Sequence, residues 1–168
     1  MTDQRCWLLR SAAVFLPIAL VLNLFLAFCA QAQPSERQTF GKWTVACKVD
    51  KMTDAKDCFV ISQTLNFAFS NGRLVVVNIG IRHYPGSYVM LRIDSEPALS
   101  AKAPGFRGRA ADEILERFTK NPQRILIRYK EYPDGKYVDR EVSIEGFSEA
   151  LAYVRSASGV EAPAPKAP

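Results

Sequence analysis

Four cysteines, two of them within the first 29 residues, one histidine and a few carboxylates are the side chains through which this 168-residue chain could do chemistry. Cys47 and Cys58 have ten residues between them. Such a pair can bridge, cycle as a redox couple, or help to hold a metal. Redox couples usually sit two residues apart, and a metal needs more ligands than His83, the one histidine, can add. A structural disulfide is therefore the reading we take, and closing so short a loop stabilises by roughly 3 kcal/mol on the chain-entropy account. His83 could serve as a general base, but nothing near it in sequence completes a triad, so it reads as a packing or surface residue. No serine occupies a Gly-x-Ser-x-Gly elbow. Asp112, Glu113 and Glu116 could be paired catalytic acids. The four-residue steps from Glu113 to Arg117 and from Glu116 to Lys120 explain them better as helix ion pairs.

Two further groups are candidates for binding. Gly105-Phe106-Arg107-Gly108-Arg109 precedes a helical pattern, and a helix start can hold an anion. The stretch lacks the spacing of either phosphate-binding fingerprint, so a loop with solvated arginines is the reading taken. Trp43 with Tyr84, Tyr88, Tyr129, Tyr132 and Tyr137 could form a ligand face. Trp43 shares strand parity with Cys47, so we expect it to pack on the disulfide. Tyr129, Tyr132 and Tyr137 flank a hairpin end, where an exposed aromatic cluster is expected. No catalytic, cofactor-binding or metal-binding residue is assigned, and a non-enzymatic protein is expected.

The compartment decides how the cysteines behave, and the first 32 residues address it. Arg5 and Arg10 precede a nearly unbroken apolar run from Ala12 to Ala30, and Ala30-Gln31-Ala32 follows as a small-x-small step. That order predicts a secretory signal over 1–32, cleaved after Ala32. The alternatives are a retained anchor, or lipidation at Cys29, where bulky Phe28 sits badly. Cys6 and Cys29 leave with the signal, and an even pair in an exported chain reads as a disulfide. The remainder suffices for one domain with a genuine core. Of the chain's 22 cations and 17 anions, the signal takes Arg5, Arg10 and Asp3, so the rest stays mildly basic. Its cations are spread out, which argues against nucleic acid.

Stepping along the chain, 33–39 reads as a polar lead-in, 40–158 as one β-rich domain, and 159–168 as a disordered Pro/Ala tail. Trp43, Val45, Cys47 and Val49 alternate with Lys42, Thr44, Ala46 and Lys48, as in a half-buried strand. After a charged excursion over 50–57, Phe59, Ile61, Leu65 and Phe67 read as the next strand. The disulfide would staple the base of the excursion. Ser70-Asn71-Gly72 signals a hairpin into a central strand, Leu74 to Ile81. A turn at Tyr84-Pro85-Gly86-Ser87 leads to a fourth strand, and the four read as an antiparallel meander. Asp94 to Gly108 reads as loop. Ala111, Ile114, Leu115 and Phe118 predict a helix that Pro122 ends. Residues 125–131 and 136–145 read as a hairpin over Pro133-Asp134-Gly135. Phe147, Ala150, Leu151 and Val154 predict a last helix, with Gly159 placed to cap it. The fold class expected is mainly β, an antiparallel sandwich or a barrel-like domain with two short helices.

Phe40-Gly41-Lys42-Trp43-Thr44-Val45-Ala46-Cys47, then Cys58-Phe59-Val60-Ile61-Ser62-Gln63-Thr64-Leu65, and late in the chain Ser143-Ile144-Glu145-Gly146-Phe147-Ser148-Glu149-Ala150-Leu151, together resemble the invasion-associated locus B family of exported Gram-negative proteins. The chain is similar to a divergent member, without the second cysteine pair that many members carry. The resemblance implies a small β-rich periplasmic or outer-membrane-associated domain with no established activity or cofactor. It makes Trp43, Cys47, Cys58, Gly146 and Phe147 scaffold positions. The expected function is binding a protein or an envelope polymer. The alternatives are a periplasmic hydrolase whose site assembles only in the fold, and an assembly factor whose sheet edge accepts client strands.

Overall fold

The computed structural model describes residues 37–159. The expected signal, Cys29 and the tail beyond Gly159 lie outside the described residues. In chain order the elements are β1 Arg37–Phe40, β2 Trp43–Val49, β3 Lys56–Ile61, β4 Leu65–Ser70, β5 Arg73–Ile79, β6 Tyr88–Ile93, β7 Leu99–Lys102, β8 Gly105–Arg107, α1 Arg109–Thr119, β9 Ile125–Lys130, β10 Tyr137–Glu141 and α2 Phe147–Ala157. A six-stranded sheet runs β1-β2-β3-β4-β5-β8 and a four-stranded sheet runs β10-β9-β6-β7. Every pairing is antiparallel. No pairing closes a barrel among the described residues, so the architecture is sandwich-like.

Period two builds the inner faces. Trp43, Val45 and Cys47 are buried on β2 while Thr44, Ala46 and Lys48 face outward. On β6, Val89, Leu91 and Ile93 are buried and Tyr88, Met90 and Arg92 are exposed. Asn71 and Gly72 both take positive φ, 47° and 74°, as a two-residue hairpin turn needs. α1 buries Ala111, Ile114 and Phe118, and α2 buries Phe147, Ala150, Leu151 and Val154.

At the centre, Trp43, Phe67, Phe118 and Phe147 are fully buried. Trp43 meets Phe147 edge-on at 5.0 Å, Phe67 at 5.8 Å and Phe118 at 6.2 Å. The indole N–H donates to the Ser143 carbonyl at 3.0 Å. Burying each such ring contributes roughly 1.5–3 kcal/mol, and each edge contact about 0.5–1.5 kcal/mol more. This quartet joins β2, β4 and both helices. The ring neighbours of Trp43 are thus aromatic, while Cys47 and Cys58 belong to the same buried cluster.

Several expectations are corrected. Phe59, Ile61, Leu65 and Phe67 do not share one strand. A turn at Ser62 separates β3 from β4: its hydroxyl accepts the Leu65 and Thr64 N–H groups at 2.9 and 3.2 Å and donates to the Leu65 carbonyl. The reversal puts Cys58 and Val60 inside and leaves Ile61 at 38% exposure. The meander runs through β5, but β6 leaves it to pair with β7 and β9. The stretch read as loop, Asp94 to Gly108, supplies one short strand to each sheet. Arg37, Gln38 and Thr39, read as lead-in, form an edge strand with Phe40. The last strand stops at Glu141, beyond which the Val142 N–H donates to the Ile125 carbonyl.

Candidate functional site

Cys47 and Cys58 face one another across β2 and β3 and are joined by a disulfide. Their Cα atoms stand 4.1 Å apart, the spacing of a narrow cross-strand pair. Buried in the core, the bond ties the two strands below the charged excursion. There the Asp50 carboxylate accepts the Met52 and Thr53 N–H groups, which hold it below the usual carboxylate range.

The candidate acids are occupied. Glu113 pairs with Arg117 at 2.5 Å and Glu116 with Lys120 at 2.8 Å. The Lys120 bond holds Glu116 below its ordinary value. Asp112 lies in the first turn of α1, where the helix dipole favours an anion. Beside these acids runs a cleft of about 440 Å³ that also takes in Asp94 and Glu96. The Asp94 carboxylate there accepts the Gln123 and Arg124 N–H groups at 2.9 and 2.8 Å. The glycine-arginine stretch is β8 followed by Gly108, with Arg107 and Arg109 exposed.

His83 lies at the end of the smaller sheet, its backbone bridged to that of Glu131, just past β9. Its Nδ1 donates to the Ile81 carbonyl at 3.1 Å. The Glu131 carboxylate stands 3.9 Å from Arg140 and 3.5 Å from the Tyr129 hydroxyl. Hydrogen bonding to Tyr129 pushes the Arg140 guanidinium further up. An acid thus comes opposite the histidine, but arginine and tyrosine already engage it. Among the described residues no cluster of His, Cys, Asp and Glu is placed to hold a metal.

Where His83 and Glu131 face one way, their neighbours face the other. Arg82 lies over the Tyr132 ring, 5.1 Å from its centre, and the Lys130 ammonium lies 5.0 Å from that of Tyr84. The two rings are 6.0 Å apart. Gly135, at φ 65°, leaves room for the stack, since a Cβ there would come within 3.3 Å of Lys130. The pattern continues on the outer face of the sheet. Tyr88 is opposite Lys102, and Lys130 is opposite Tyr137. The β6–β9 pairing ends at Met90–Arg128, and beyond it Tyr84 lies beside Lys130, its N–H donating to the Lys130 carbonyl at 2.7 Å. Cation–tyrosine neighbours thus recur on this face, at Lys102 with Tyr88 and at Lys130 with Tyr84 and Tyr137. Tyr84, Tyr88, Tyr132 and Tyr137 are 41%, 62%, 42% and 66% exposed.

This face is the candidate site. Of the hairpin cluster expected from sequence, Tyr132 and Tyr137 belong to it, whereas Tyr129 points into the core at 2% exposure. Parity with Ile125 and Ile127 on β9 is the signal that places Tyr129 inside and Lys130 outside. Arg82 and Lys130 were not among the sequence candidates. Only the pairing of 82–84 with β9 brings them to the rings.

No protein-family model matches the chain, and no curated protein does. Among solved structures, the chain is similar to invasion associated protein B from Bartonella henselae, at 16% identity and a TM-score of 0.50. The match covers 74% of this chain and 98% of that one. The likeness is one of fold, and the sandwich-like architecture is what the two share.

Proposed function

We propose that the chain is an exported, non-enzymatic protein of the cell envelope that works by binding a protein or an envelope polymer. The observation that carries this reading is the tyrosine-and-cation face around Tyr84, Tyr132, Arg82 and Lys130. Exposed aromatic rings stacked against cations supply contact area at low entropic cost, and the charged neighbours orient a partner. The buried disulfide supports maturation outside the reducing cytosol. The placement we propose, periplasmic or against the outer membrane, goes with that maturation.

The test is recovery of the protein from its host. The reading expects it in the envelope fraction, with a mass that lacks residues 1–32 and the two thiol hydrogens. It also expects a specific envelope component to be cross-linked through residues of the tyrosine face. A cytosolic protein with both thiols free would overturn it.

A second reading, a hydrolase using His83, rests on the His83–Glu131 bridge. His83→Ala should leave binding and stability nearly unchanged, because the ring's one hydrogen bond is local. Loss of a hydrolytic activity in that variant would favour this second reading.

A further inference from the structure

Resting on the binding role above, we propose that the tyrosine-cation face takes an anionic glycan chain, laid across the strands of the smaller sheet. Lys102 is paired with Tyr88 on β7 and β6, and Lys130 with Tyr137 on β9 and β10, so cation–tyrosine pairs stand on all four strands, a span of about 14 Å, enough for several sugar units. A tyrosine ring fits the C–H face of a pyranose, and its hydroxyl can reach the ring substituents. The cations between the rings fit carboxylate or phosphate substituents on the chain. Arg82, Lys102 and Lys130 have no carboxylate partner within ion-pair reach among the described residues, so their charge is free to meet a ligand. Arg128, by contrast, is held by Asp139 in two bonds of 2.6 Å.

The same face argues against other anions. Asp139 and Glu141, opposite Arg128 and Leu126, line its β10 edge, which disfavours a densely charged polyanion. For a lipid surface the face offers little to insert. Met90 is its one exposed large hydrophobic besides the tyrosines, and stable peripheral anchoring needs more buried apolar area than that. A glycan with spaced charges meets both conditions.

The experiment uses protein recovered from the host envelope, titrated with sodium polygalacturonate, with its methyl ester, and with phosphatidylglycerol vesicles. The variants are Arg82→Gln with Tyr132→Ser, and Lys130→Gln with Tyr84→Ser, each checked for an unchanged unfolding midpoint. Lys48→Gln, on the other sheet, controls for the loss of one positive charge. Polygalacturonate should bind, and esterification and each face variant should weaken binding about tenfold or more, while Lys48→Gln leaves it unchanged. Equal binding of the ester, an equal loss in Lys48→Gln, or binding to vesicles but not to the polymer would overturn the glycan assignment. If polygalacturonate fails while isolated envelopes still retain wild type and release the face variants, the ligand class is wrong and the binding role stands. If envelopes retain neither, the binding role fails as well.

Discussion

Gly146 shows how one missing side chain fixes a junction. It holds φ at 84° before α2, and a Cβ there would run into the Phe40 carbonyl. The Lys42 N–H bonds the neighbouring Glu145 carbonyl at 3.0 Å, so β2 and α2 meet here backbone to backbone. Gly146→Ala should cost about 2 kcal/mol or more, read as a lower denaturant midpoint at unchanged slope. The sequence motif marked this glycine, and the reason lies in a contact across the whole chain that no local pattern reveals. At the surface, hydrogen bonds from Arg128 hold the Asp139 carboxyl below its ordinary value. An acid lowered in this way contributes stability above its unfolded pKa and loses it as pH falls through the lowered one. Arg128→Gln should therefore raise the Asp139 titration midpoint toward the ordinary carboxylate range, measurable by carboxyl NMR. A midpoint that stays put would contradict the assigned pair.

At the scale of elements, the disulfide is the clearest lever. It joins register partners on β2 and β3, so its loss should loosen that pair without changing the sheet order. Replacing both Cys47 and Cys58 with alanine should lower unfolding free energy by roughly 3 kcal/mol and leave the far-ultraviolet spectrum near that of wild type. A variant that is unfolded at room temperature would mean that the bond does more than staple two strands. Long, strongly alternating or helical stretches were legible: β2, β6, β9 and both helices follow their hydrophobic periods. The Ser62 reversal was not, because it uses a hydroxyl in place of glycine or proline. β7 and β8 were missed because three or four residues carry too little pattern, and only their sheet partners make them strands. The candidate face was half legible. Its tyrosines drew notice as residues, but strand pairing alone decides which of them share a surface with Arg82 and Lys130.

The whole molecule separates two roles. Helices and inner sheet faces close over the aromatic quartet at the centre of the described residues. The outer face of the smaller sheet presents rings and cations at fixed strand spacing. Net positive charge adds steering toward anionic surfaces, an effect that salt should weaken. The most direct measurement of this account is retention of purified protein on isolated host envelopes, comparing wild type with Arg82→Gln/Lys130→Gln. The account predicts that wild type is retained and that the double variant, with an unchanged unfolding midpoint, is released at about tenfold lower salt or ligand-free dilution. Equal retention of the two proteins would contradict it.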